Sequence, residues 1–261
     1  MIEQFLKPAS VDEAIRLKSQ YKDDAVFMAG GSKLNATPSR TAKTVAISLS
    51  GLGLDTIRMQ DGQLHVGATV TLQQLIDDPL VPAALREAAG FVYSRNVRNQ
   101  ATLGGEVCAT QEEAVLMPVL LTLDARVQFG NGEFSELESY LGSTRNALVV
   151  GVVLPDPARL CATRKVARSS AGLTVLSAAV ALSDKGPCIA IEGVVPRPVR
   201  LREIEKRGLT DVALELAVSE AVAPQDDVRG SVSYKRYIAG VVVADLLADL
   251  QAARLQMKKE S

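Results

Sequence analysis

At Pro155-Asp156-Pro157 the character of the sequence changes. Two prolines in three residues stiffen a connector and deny it ladder hydrogen bonds, so a domain boundary is expected there. Upstream, short apolar runs alternate with helical stretches. Phe5 lies in a first short strand, and Ser10-Val11-Asp12-Glu13 has the capping-box spacing that opens a helix running to about Tyr21. Residues 25–28 are a compact apolar run that stops at Ala29-Gly30-Gly31-Ser32, and residues 44–49 form another strand. The turn pairs Asp61-Gly62 and Asn131-Gly132 each close a hairpin. Helices are expected from Thr71, over 82–93 and over 112–123, then a strand over 147–154. Downstream, residues 163–168, 173–182 and 188–194 read as an antiparallel meander, followed by helices over 209–223 and 232–257 that cover the sheet on one side. The fold class is α+β.

The chain has 261 residues, 47% hydrophobic and 23% charged, ample for packed cores and unlike a disordered or fibrous chain. With 29 Lys and Arg against 30 Asp and Glu the net charge is -1, so nothing favours a phosphate backbone and no nucleic-acid partner is expected. Cys108, Cys161 and Cys188 lie far apart without Cys-x-x-Cys spacing, so this chain builds neither a four-thiolate iron–sulfur cluster nor a zinc ribbon; iron would sit on a partner. The single histidine, His65, occupies an alternating strand pattern and reads as a solvent-facing residue, so histidine triads and multi-histidine metal sites are not expected. The first eight residues lack the apolar core of a secretory signal, and no stretch approaches the roughly 18 apolar residues of a membrane helix. The expectation is a cytoplasmic protein with reduced thiols and no membrane partner.

Two glycine pairs, Gly30-Gly31 and Gly104-Gly105, remain as candidates for chemistry. Glycine turns can aim successive main-chain N–H groups at one point, and with no side chain in the way an anionic oxygen can approach. Either pair taken alone reads as a tight turn. The familiar nucleotide motifs are missing. Gly51-x-Gly53 is followed by Thr56 where a dinucleotide fingerprint needs glycine, and Gly31-Ser32-Lys33 has the wrong order for a phosphate loop.

Together with their flanks, the two pairs resemble a specific family. Ala29-Gly30-Gly31-Ser32-Lys33-Leu34 is similar to the first flavin loop of the FAD subunits of molybdenum hydroxylases, usually Ala-Gly-Gly-Thr/His-Asp/Ser-Leu. Arg98-Asn99-Gln100-Ala101-Thr102-Leu103-Gly104-Gly105 is similar to the second, Arg-Asn-x-Ala-Thr-Ile-Gly-Gly-Asn, and Asp227-Val228-Arg229-Gly230-Ser231 with Tyr234-Lys235-Arg236-Tyr237 resembles the family's C-terminal segment. The family includes the medium subunits of carbon monoxide dehydrogenase and xanthine dehydrogenase; the chain most resembles a xanthine-dehydrogenase-like branch linked by gene context to purine metabolism and a selenate reductase. The resemblance implies an FAD-binding domain of the vanillyl-alcohol-oxidase (PCMH) type over 1–155, with subdomains about 1–54 and 55–155. A C-terminal domain of the carbon monoxide dehydrogenase flavoprotein type would follow over 158–261.

It further implies that FAD carries the redox chemistry, that no side chain of this chain is catalytic, and that the isoalloxazine lies between the domains. Partners would be a subunit bearing 2Fe–2S clusters and a subunit bearing the molybdenum cofactor, with NAD or another acceptor. By the same resemblance Ala29, Gly30, Gly31, Ser32, Lys33 and Leu34 line one side of the FAD diphosphate, Thr102, Gly104 and Gly105 the other, and Lys165 approaches the flavin. Three positions depart from the pattern. Glu106 stands where relatives have Asn, and a carboxylate near a diphosphate is repulsive. Val115 replaces a polar-contact Asp, and Gly172 stands where an Asp follows the basic segment from Lys165. These departures motivate an alternative, a scaffold subunit that keeps the fold without flavin; a stand-alone small-molecule-binding protein is a further one.

Overall fold

The computed structural model of the protein describes residues 2–34, 41–109, 115–143 and 147–260, and its elements fall into two compact units. The chain opens with β1 (Gln4–Leu6), α1 (Val11–Tyr21), β2 (Ala25–Met28) and β3 (Val45–Ser48). The three strands form a parallel sheet in the order β1-β3-β2. β3 is buried along its whole length, as a central parallel strand covered on both faces must be, and β2 lies at the edge. Ala14 of α1 packs with Val45, Ile47 and Leu148 in a small core. The cap of α1 differs in detail from a reciprocal capping box: Ser10 Oγ accepts from Glu13 N (3.1 Å), but the Glu13 carboxylate accepts from Ala9 N (2.7 Å).

There follow β4 (Ile57–Gln60), β5 (Gln63–Gly67), α2 (Leu72–Asp77), α3 (Ala83–Gly90), α4 (Arg95–Arg98), α5 (Leu103–Cys108), α6 (Met117–Thr122), β6 (Arg126–Phe129), β7 (Phe134–Glu136), α7 (Leu137–Leu141) and β8 (Val149–Leu154). The five strands make an antiparallel sheet in the order β4-β5-β8-β6-β7. Asp61 and Gly62 both have positive φ (51° and 74°), the backbone of a tight hairpin turn. The helix expected from residue 112 is described only from Met117; residues 112–114 lie outside the described residues. Pro118 falls in the first turn of α6, where a missing N–H leaves no bond unmade.

The second unit gathers α3, α6 and the chain from Asp156 onward. Here β9 (Cys161–Ala167), β10 (Thr174–Ser183), β11 (Gly186–Glu192) and β12 (Val199–Arg200) form the expected antiparallel meander, followed by α8 (Arg202–Glu205), α9 (Asp211–Ala221) and α10 (Val232–Glu260). Helices cover both faces of this sheet, where the sequence suggested one. Eight consecutive residues of β10 are buried. Leu176, Ala178 and Val180 join Leu214, Val218, Val243 and Leu247 of α9 and α10, while α6 packs on the face presented by the alternate residues. An uninterrupted apolar run is what two-sided burial requires.

The segment from Asp227 to Tyr237 is a staple at the start of α10. Asp226 Oδ1 accepts from Val232 N (2.6 Å), and Lys235, 2% exposed, places Nζ 2.7 Å from both Asp227 Oδ1 and the Gln225 carbonyl. The Lys235 hydrogen bond is the main reason the Asp227 carboxyl is held below its usual range. Lys235→Met removes both bonds and lets the half-exposed Asp227 return to water. The expected loss is about 2 kcal/mol, that of hydrogen bonds to a charged group, read as a lowered urea midpoint of the full chain. The Asp227 contribution is complete above the ordinary aspartate range and fades as pH falls through the depressed folded value.

Candidate functional site

The first glycine turn begins where β2 ends. Leu49 N donates to the Met28 carbonyl (2.9 Å), which anchors the last ladder position, and the chain then turns through Gly31 at φ 70°, a conformation that favours glycine. Among the described residues, none of the main-chain N–H groups from Ala29 to Leu34 donates a hydrogen bond. Among the described residues these six successive donors have no acceptor, and where such N–H groups converge they favour an anion. Ala29, Gly31, Ser32, Lys33 and Leu34 are all half-buried.

The second glycine pair is not a loop. Thr102 is the N-cap of α5, with Oγ1 accepting from Gly105 N (3.2 Å), so Gly104 and Gly105 lie in the first turn of a helix. Leu103 N donates to the Val70 carbonyl (2.9 Å), Gly104 N to the Ala68 carbonyl (2.8 Å) and Glu106 N to the Thr102 carbonyl (2.9 Å). These donors are engaged within the protein; the amides without an acceptor among the described residues belong to the first turn. Leu-Gly-Gly is poor helix-forming sequence, and tertiary contact overrides that propensity. A Cβ on Gly104 would stand 2.7 Å from Ala68 Cβ, so glycine is what lets α5 dock on the chain leaving β5.

The two turns meet. A Cβ on Gly30 would fall 1.6 Å from the Gln100 carbonyl oxygen, which means that the first turn and the approach to α5 are in direct backbone contact. Lys33 Nζ lies 2.9 Å from Glu106 Oε1, joining the turns again through side chains. Glu106 therefore does not face an incoming anion as an isolated carboxylate. Beside this junction is a cavity of about 310 Å³, within the first unit, running along the free edge of β2 and lined by Phe27, Ala29, Lys43, Gly104, Gly105 and Cys108 among others. Tyr140, also in its wall, donates from its hydroxyl to Cys108 Sγ (3.5 Å). Lys43, Cys108 and Tyr140 escaped the sequence reading. For Cys108 a signal existed: it follows Gly104 by four residues, one helical turn, and so shares its face.

Lys165 is on β9 in the second unit, with Nζ donating to the Phe91 carbonyl (3.1 Å). Val115 is buried, and Gly172 closes a turn by donating to the Ser169 carbonyl (2.9 Å). His65, half-buried on β5, is held below its ordinary value first by burial and then by Arg58 and Arg126, so it is neutral at neutral pH. Burial pushes the Cys161 thiol up to about 12. Among the described residues no group of three or more His, Cys, Asp or Glu is placed to hold a metal ion, and no helix is long and apolar enough to cross a membrane.

The model of the FAD binding domain in molybdopterin dehydrogenase matches residues 1–157, and the chain belongs to that family. It is 57% identical over 254 residues to the uncharacterized protein YgfM of Escherichia coli (strain K12), with 97% of this chain and 98% of that protein covered. It is 28% identical to the nicotinate dehydrogenase FAD-subunit of Eubacterium barkeri, with 95% of each chain covered. Among solved structures, a chain of carbon monoxide dehydrogenase from Hydrogenophaga pseudoflava superposes with a TM-score of 0.86 at 25% identity, covering 97% of this chain and 98% of that one. The protein is thus an FAD-binding subunit of the molybdenum hydroxylase family, with the α+β fold of the carbon monoxide dehydrogenase flavoprotein.

Proposed function

We propose that the FAD diphosphate is held on the first glycine turn, by main-chain N–H groups between Ala29 and Leu34, at its junction with α5. Gly30 brings the first turn against Gln100, Gly104 lets α5 dock on Ala68, Thr102 fixes the start of α5, and Gly105 forms part of the wall of the adjacent cavity. That cavity, along the edge of β2, would take the portion of FAD that continues from the diphosphate. The observation that carries this reading is the direct contact of Gly30 with Gln100 beside a run of N–H groups that no described residue accepts. When bound, FAD supplies the redox chemistry; the protein supplies placement and electrostatics. The purified full-length chain is expected to take up FAD with one-to-one stoichiometry, followed by quenching of flavin fluorescence. A folded chain that stays colourless with excess FAD would be a scaffold subunit instead.

We further propose that the subunit works in a xanthine-dehydrogenase-like complex, between the 2Fe–2S clusters of one partner and NAD or another acceptor, while a molybdenum-cofactor subunit acts on the substrate. Three scattered cysteines and a single histidine support the assignment of the iron to a partner. The motif resemblance supports the xanthine-dehydrogenase-like choice. NADH-dependent dye reduction by the FAD-loaded chain, with and without partner subunits, tests the acceptor.

A further inference from the structure

Glu106 is a carboxylate with only 2% of its surface exposed. Burying such a charge is unfavourable unless a counter-charge is buried with it. Lys33, with its side chain 21% exposed, is that counter-charge, and it comes from the opposite turn. Glu106 also lies in the first turn of α5, where the positive end of the helix favours a carboxylate. That explains an acidic residue here, but not why a lysine should reach it from the stretch that carries the unengaged N–H groups.

We propose that Glu106 is a positioning residue: it holds the Lys33 ammonium at the junction of the two turns, so that Lys33 is the side-chain cation of the diphosphate site. This rests on the flavin reading above. Two opposite effects of Glu106 follow. Its charge repels the diphosphate directly, and its grip on Lys33 keeps a cation in place that would otherwise be held by a flexible four-carbon stem. With Lys33 present the second effect dominates. With an uncharged side chain in its place the positioning effect is gone, while the carboxylate's charge still acts on the diphosphate.

The test is a double-mutant cycle on FAD affinity, read by flavin-fluorescence quenching of the full-length chain at fixed ionic strength, with the unfolding midpoint of every variant measured alongside. Lys33→Met is expected to weaken binding by about tenfold or more, the worth of a charged hydrogen bond, while Lys33→Arg keeps most of the affinity. Glu106→Gln is expected to weaken binding in the Lys33 protein and to tighten it in the Lys33→Met protein. A purely structural role for the pair would move both in one direction. If Lys33→Met does not fold, Lys33→Gln takes its place in the cycle. Glu106→Gln shifting affinity in the same direction in both backgrounds, or in neither, overturns this inference while leaving flavin binding intact. A wild-type chain that takes up no FAD overturns the flavin reading itself, and this inference with it.

Discussion

Gly30→Ala is expected to break the junction of the two glycine turns, with a loss of about 3 kcal/mol in stability and of most FAD binding. The added methyl would sit 1.6 Å from the Gln100 carbonyl oxygen, and the obstacle is backbone, which cannot rotate away as a side chain would. The turn must lift from the approach to α5, carrying Lys33 away from Glu106. Gly105→Ala provides the contrast. Its Cβ meets only Thr102 Oγ1, at 3.1 Å, and alanine is favoured over glycine in a helix by about 1 kcal/mol. This variant is expected to fold with a stability within about 1 kcal/mol of wild type. Urea unfolding and FAD titration of both variants check the pair of expectations. Equal tolerance at 30 and 105 would show that the close contact at Gly30 does not govern the site.

The contrast also changes what the glycines mean. Absence of a side chain at a glycine pair suggested room for an anion, yet at Gly30 and Gly104 that room is filled by the protein's own chain. Gly31, at positive φ, is where the backbone conformation itself calls for glycine. The features legible in the sequence were those set by neighbours along the chain. Asp61-Gly62 and Asn131-Gly132 specify hairpins through local turn chemistry, and the apolar run of β2 ending in glycine specifies a strand delivering its chain into a turn. The features that were not legible depend on segments far apart. The helix over Leu103–Cys108 forms despite its glycines because Ala68 and Val70 accept its first N–H groups. The second face of the meander is covered by α6, which precedes it across the proline boundary. Glu106 read as a repulsive intruder because nothing local shows that Lys33 lies 2.9 Å away. Its partner is set by the contact between Gly30 and Gln100, and so by topology rather than by spacing.

Cys108 gives an independent measure of where FAD lies. Of the three cysteines it is the exposed one; Cys188 is 2% exposed, and burial keeps Cys161 protonated with its value pushed up to about 12. Alkylation requires an accessible thiolate, so one thiol of the native chain is expected to react with iodoacetamide well ahead of the other two. Cys108 also lines the cavity beside β2, with Gly104 and Gly105 on the same short helix. If FAD extends from the first glycine turn into that cavity, its occupancy blocks the reagent. At a free FAD concentration ten times the dissociation constant, mass action alone then slows labelling about tenfold. Peptide mapping after a timed pulse, with Cys108→Ser as the control, identifies the protected residue. Unchanged Cys108 labelling at saturating FAD would remove the cavity from the binding site. Protection at Cys108 together with wild-type stability of the Cys108→Ser variant would support a cofactor along the edge of β2, because Cys108 is the exposed residue of this short helix and lines the cavity there.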